Sequence, residues 1–165
     1  MIKKILSLDM SSTCTGYSKF EYNLETKDFK LVEVSSIKPK GTSLYQRIEN
    51  LHNTFNLKEL YTWPDEVVFE NYSFAGNRVS QLAELNGIIK FQYHLNTVPI
   101  EVIAPTTIKK QVTGSGRAKK DEVRKALAEV DELKTATPKN HDESDSMAVG
   151  YSYIKKLNEY TDGHK

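Results

Sequence analysis

LSLDMSSTCTGYS, residues 6–18, runs an apolar stretch into a carboxylate at Asp9 and then passes through hydroxyl side chains to Gly16. The apolar part reads as a strand. The Ser/Thr-rich stretch after it reads as a turn into a second strand, TGYSKFEY (15–22). Asp9 therefore stands at a strand end, where a side chain can leave the core and a site can form. FKLVEVSSI (29–37) follows after NLETKD as a third strand, and the three resemble an antiparallel meander.

From Ser43 the period changes. Leu44, Ile48, Leu51 and Phe55 fall at helical spacing, and EVVFE (66–70), after Trp63-Pro64, returns to strand and ends on Glu70. A crossover helix between two strands implies parallel pairing. Val79, Leu82, Leu85 and Ile89 form a further helical stripe, and PIEVIA (99–104) a further strand. Helices are expected near 106–112 and 119–130. A last one starts near Asp142, with Met147, Tyr151 and Ile154 on one face. The order gives an α/β chain with a mixed sheet, expected as a single domain over 1–158 with a polar tail at 159–165 and a flexible stretch at 131–141.

Composition bounds the chemistry. The 165 residues are 38% apolar and 27% charged, ordinary for a water-soluble globular chain with a sizeable core. No apolar run of about 18 residues is present, and MIKKILSLD meets an acid too early for a signal peptide, so neither a membrane span nor export is expected and the reading is cytoplasmic. The single cysteine, Cys14, excludes an intrachain disulfide and a cysteine-built zinc site. A net charge of +1 conceals a local surplus: APTTIKKQVTGSGRAKKDEVRKALA (104–128) holds seven Lys/Arg against two acids. Such a run is most simply a solvated helix face unless an anionic partner is indicated.

Four acids point to a cation site. Asp9 and Glu70 each end an apolar run, and a crossover would make their strands neighbours. In NHDESDSMAVG (140–150), Asp142 and Asp145 lie at i and i+3 on one helix face. Four carboxylates from three elements could surround one point, which is tolerable chiefly when a cation neutralises them, and an all-oxygen set selects Mg²⁺ or Mn²⁺. Taken singly, Asp9 could start a turn, Glu70 could be a surface charge, and Asp142 or Glu143 could favour a helix N-terminus.

LDMSSTCTGY, VVFENYSF, KKQVTGSGRAKKDEV and HDESDSMAVG, in this order and at these intervals, resemble the RuvC family of Holliday-junction resolvases. The first holds, in a near form, the Asp-x-x-x-Ser/Thr-x-x-x-Gly pattern through Asp9, Thr13 and Gly16. The third resembles the Lys-rich Gly-x-Gly segment, and the fourth the Asp-x-x-Asp-x-x-Ala helix start through Asp142, Asp145 and Ala148. The resemblance spans residues 5–154. It implies an RNase H-like fold with a mixed five-stranded sheet flanked by helices, a homodimer, and Mg²⁺-dependent paired nicking of four-way and related branched DNA. Two ions per site are implied, Mn²⁺ serving as a substitute. Asp9, Glu70, Asp142 and Asp145 match the catalytic, metal-holding acids, and Lys109 and Lys120 match basic residues near the scissile phosphate. Lys120 would offset charge developing on the phosphorus. Lys109, Lys110, Arg117, Lys119 and Arg124 are expected along the DNA backbone, with Tyr72 and Phe74 as candidates for stacking on an unpaired base.

The sequence also departs from that family. Met10-Ser11 stands where cellular members carry Pro-Gly, and Ser73 occupies the place of their stacking Phe. Divergence of this kind in a compact chain resembles phage-encoded relatives, which would place the protein in the host cytoplasm. His141, beside the acids, suits a helix cap better than a catalytic role. Two rival readings are a branched-DNA-binding protein that does not cut and an actin-like phosphate-loop ATPase. The ATPase would need two lobes, for which the chain is short, and the binding module leaves four acids facing phosphate without a purpose.

Overall fold

The computed structural model describes residues 1–72 and 79–162. Strands β1 (Ile2–Asp9), β2 (Thr15–Asn23) and β3 (Phe29–Ile37) form the antiparallel meander expected from their turns. Helix α1 (Leu44–Leu57) then crosses over to β4 (Glu66–Glu70), which lies parallel to β1, and α2 (Val79–Leu95) leads to β5 (Ile100–Ile103), parallel to β4. The resulting sheet has the order β3-β2-β1-β4-β5. Three helices complete the chain: α3 (Pro105–Thr113), α4 (Lys120–Ala128) and α5 (His141–Asp162).

Local chemistry sets the ends of these elements. Ser43 caps α1, its hydroxyl accepting from the Gln46 amide at 3.2 Å while Gln46 Oε1 accepts from the Ser43 amide at 3.1 Å. Pro105 opens α3, where its missing amide hydrogen costs nothing, and Gly114 closes it in the left-handed region at φ 83°.

Side-chain alternation divides the strands between two cores. Leu6, Leu8, Tyr17, Val67 and Phe69 meet Ile48, Leu51 and Phe55 of α1 and Leu85, Ile89 and Tyr93 of α2. Ile5, Phe20, Tyr22 and Val68 face the other way, onto Ile108 of α3, Val123 and Leu127 of α4, and Met147, Tyr153 and Ile154 of α5. The apolar stripe at 79–89 is thus mainly the chain's own core, since Leu85 and Ile89 are fully buried. The stretch 131–141, expected as flexible, is anchored by Leu133, which is 2% exposed within the second core. Helix α5 continues to Asp162, into the segment expected as a polar tail.

Candidate active site

Register and parity bring the first two acids together. β1 and β4 pair with Leu8 opposite Phe69, and the next residue on each strand is an acid, Asp9 and Glu70. On β1, Ile5 and Ser7 face α5, and Asp9 shares their parity. On β4, Val68 and Glu66 face α5, Glu66 accepting from the Tyr153 hydroxyl at 2.7 Å, and Glu70 shares theirs. Both carboxylates therefore emerge at the C-terminal edge of adjacent parallel strands, on the side covered by α5.

The other two acids arrive because α5 lies unusually close to the sheet. Ser7 Oγ donates to the Ser146 carbonyl at 2.8 Å. Ser146 Oγ donates to the Glu143 carbonyl at 2.7 Å, so it accepts from Ser18 Oγ at 2.6 Å. All three serines are buried. A Cβ on Gly16 would overlap the Asp142 carbonyl, and one on Gly150 would overlap the Phe20 ring. Small side chains on both surfaces thus let the helix backbone rest against β1 and β2. Glu143, 3% exposed, secures the first turn to β3: it accepts from Ser36 Oγ at 2.8 Å and from the Lys139 amide at 2.6 Å. Asp142 and Asp145 are left half-buried on the side of Asp9 and Glu70.

These acids crowd one another. Burial, followed by the charges of Glu70, Asp145 and Asp142, pushes the Asp9 carboxyl up to about 8, with Lys120 opposing. Burial and Asp145 raise Glu70 as well, against the pull of Lys120 and Lys109. Burial alone would lower Lys120, but its hydrogen bond to Asp145 and the charges of Asp145, Asp9 and Glu70 outweigh it and hold the ammonium above its ordinary range. A small cleft at this point is lined by Glu70, Lys109, Lys120 and Asp145 over an apolar base that includes Ile108 and Val123. Burial and a hydrogen bond to Asp142 push the Cys14 thiol up, away from reactivity.

The basic segment is distributed unevenly around the acids. Helices α3 and α4 bury Ile108, Val123 and Leu127 and turn their lysines outward. Lys120 Nζ reaches Asp145 Oδ2 at 3.1 Å, while Lys110, Arg117 and Lys119 are exposed without meeting the acids. Arg124 is not placed as a surface cation. It is 20% exposed and bridges Asp145 Oδ1 at 3.4 Å and Asp121 Oδ1 at 3.2 Å. Tyr72 is half-buried, Phe74 lies outside the described residues, and His141 is exposed at the start of α5. Sequence reasoning missed the serine seam and the Arg124 bridge. Parity on β1 and β2, read against the small residues of DSMAVG, was the available signal for the seam; nothing in the spacing indicated the bridge.

Acids end two central parallel strands of a five-stranded mixed sheet, and a helix carrying two more closes over them, an arrangement of the RNase H-like class. The family model for "Crossover junction endodeoxyribonuclease RuvC" matches residues 5–153. The RuvC enzyme of Dictyoglomus thermophilum is 30% identical over 156 residues, covering 92% of this chain and 96% of its own. The fold of Thermus thermophilus RuvC superposes with a TM-score of 0.79 at 19% identity, covering 96% of this chain and 97% of that one. A second structure of that protein, in complex with a Holliday junction substrate, gives a TM-score of 0.80 at 16% identity, with the same coverage of both chains. The chain belongs to the RuvC family of crossover junction endodeoxyribonucleases.

Nucleases of this family depend on a metal, and the donor chemistry here fits one. The carboxylates, two of them raised by burial and then by their acidic neighbours, form an all-oxygen set suited to a hard divalent cation. They are not gathered on a single point: among the described residues, no three His, Cys, Asp or Glu side chains stand close enough to hold an ion. Asp145, which acts on Asp9 and Glu70, also meets Lys120 and Arg124, which supply the local positive charge.

Crowding has a measurable cost. An acid held up to about 8 in the folded chain, against an ordinary 3.8, prefers its proton when folded. That preference favours folding fully below 3.8 and is lost as the pH rises through about 8. In chelator, Asp9→Asn is therefore expected to melt above wild type by a margin that widens from about pH 4 to about pH 8, reaching on the order of 5 °C. Saturating Mg²⁺ should close the margin by stabilising the wild type. Melting curves across this range check it, and a margin independent of pH would mean that Asp9 ionises without penalty.

Proposed function

We propose that the chain resolves Holliday junctions as a homodimer by paired nicking, with Mg²⁺ held between Asp9, Glu70, Asp142 and Asp145. The family to which it belongs makes it a structure-selective endonuclease for crossover junctions. The observation that carries the residue assignment is the meeting of Asp9 and Glu70 at neighbouring strand ends, where Asp142 and Asp145 raise the Asp9 carboxyl further. Asp9, Glu70, Asp142 and Asp145 would hold the metal, two ions per site by resemblance and replaceable by Mn²⁺, and when bound it would supply activation of water and stabilisation of the departing 3′ oxygen. The residues themselves perform the rest. The acids sit on strand ends and on a helix pinned by buried serines, so side-chain movement alone is left to draw them onto a cation. Lys120, whose side chain is 73% exposed, can move from Asp145 onto the scissile phosphate and offset charge developing there. Lys109, beside Glu70, lines the same cleft, and Lys110, Arg117 and Lys119 are exposed to track the backbone of an arm. Tyr72 and Phe74 remain the stacking candidates from sequence.

The homodimer rests on the need for two sites at a fixed separation to make paired cuts. With Leu85 and Ile89 buried in the core, the apolar side chains available for a partner on α2 are Phe91 and Leu95, 56% and 59% exposed. A cytoplasmic setting is supported by the lone cysteine, and by the absence among the described residues of any helix long and apolar enough to cross a membrane.

The test is nicking of a synthetic four-way junction with each strand labelled in turn, in Mg²⁺ and in chelator. Symmetric cuts are expected in Mg²⁺ only. Binding without cuts in either condition would leave a junction-binding protein. In the same assay Lys120→Met should slow single-turnover cleavage by about 10²-fold, with affinity changed less than about threefold. An unchanged rate at saturation would reduce Lys120 to part of the electrostatic footprint.

A further inference from the structure

Two cations share Asp145, and the structure treats them differently. Lys120 meets Oδ2 with a side chain that is 73% exposed, whereas Arg124 meets Oδ1 with one that is 20% exposed. Asp145 itself is 17% exposed. Arg124 is also held from the other side, by Asp121 one turn earlier on α4, and its Nε is buried without a hydrogen-bond partner. Its side chain borders a small recess that Leu127, Leu133, Met147 and Lys134 also line. A guanidinium fixed in this way cannot leave for a phosphate without abandoning two ion pairs and its packing. An exposed ammonium can. Its two terminal nitrogens hold different carboxylates, Nη1 that of Asp121 and Nη2 that of Asp145, so the nitrogen that meets Asp145 is fixed in place by the rest of the group, whereas the Lys120 ammonium ends a mobile stem.

We propose that Arg124 is a positioning residue: it holds the Asp145 carboxylate in its working orientation from α4, while Lys120 is the mobile cation that exchanges Asp145 for DNA. The inference rests on Asp145 being one of the site's acids, and it removes Arg124 from the residues that contact the DNA backbone. Helix α4 then has a second task beyond carrying basic charge. It braces the acid contributed by α5, so the cutting rate depends on a contact between two helices that do not touch the scissile strand through this residue.

Arg124→Met, Arg124→Lys, Asp145→Asn and the double variant Arg124→Met/Asp145→Asn separate the possibilities. Three quantities are read: single-turnover cleavage at saturating protein and Mg²⁺, junction affinity in chelator over a salt series, and melting temperature. Arg124→Met should cut about 10- to 100-fold more slowly at saturation. Its chelator affinity should keep the wild-type salt slope. Arg124→Lys, retaining one charged donor, should recover part of the rate. In melting, the double variant should lose less than the sum of the two single losses, because both remove one contact. The proposal is overturned if Arg124→Met cuts at the wild-type rate, or if its salt slope falls by about one unit, the mark of a lost phosphate contact. It is equally overturned if the rates of the Met and Lys variants follow only their melting temperatures, which would be a structural role. Should Arg124→Met fail to fold, Arg124→Lys carries the same comparison. Cleavage by Asp145→Asn at the wild-type rate would instead sink the reading of the acids themselves, a result distinct from any failure of Arg124.

Discussion

Asp9→Asn and Glu70→Gln are each expected to reduce junction cleavage by about 10³-fold, the equivalent of roughly 4 kcal/mol, while junction affinity holds or rises. The amides keep the size and much of the hydrogen bonding of the acids but remove the charge that would retain a cation. The end of β1 tolerates the change because burial, with the neighbouring acids, already favours the protonated, neutral form of Asp9. Affinity should not fall, since an acid that faces phosphate opposes binding whenever no cation offsets it. Nicking and gel-shift assays on the same preparations read both quantities. A variant that cuts at full rate would remove that acid from the site, and one that loses cutting and binding together would point to misfolding.

Gly16→Ala is expected to damage the site from the opposite direction, with every acid retained but two of them displaced. The added Cβ would overlap the Asp142 carbonyl and come within 3.0 Å of the Glu143 amide nitrogen. Both neighbours are backbone, so no side chain can rotate away. The first turn of α5 has to lift from β2, stretching the buried contacts of Ser146 with Ser7 and Ser18 and shifting Asp142 and Asp145 from Asp9. A loss of about 3 kcal/mol in stability is expected from overpacking of this kind. A displacement of about 1 Å at the reacting groups should slow cleavage by about 10²-fold. Denaturant midpoints and single-turnover rates measure the two effects. Should the variant match wild type in both, the close approach of α5 would not be what sets the spacing of the acids.

Much of the architecture was readable from residue order. The Ser/Thr turn after Asp9, the NLETKD connection, the change of period at Ser43 and the EVVFE run were enough for a three-stranded meander, a crossover and a parallel neighbour. Each is a local preference that tertiary packing did not override. The stripe at 79–89 was legible as a helix face, but its partner was not, because periodicity reports that a face is buried and not what covers it. The stretch 131–141 looked flexible from composition, and one side chain, Leu133, ties it to the core.

The acids divide along the same line. That Asp9 and Glu70 end apolar strands, and that Asp142 and Asp145 share a helix face, follows from the chain alone, because strand and helix periods are properties of the backbone. The crossover also made β1 and β4 expected neighbours, as their parallel pairing bears out. How α5 reaches them was not legible: it approaches through Gly16, Ser7, Ser18 and Ser146, residues far apart in sequence whose small size matters only once they face one another. The division of labour between two basic residues on one short helix was likewise invisible in sequence, where Lys120 and Arg124 are both positive charges at the end of a basic run. Tertiary structure separated them by burial: exposure leaves Lys120 free to exchange partners, and a side chain only 20% exposed, with ion pairs on two sides, leaves Arg124 fixed at Asp145.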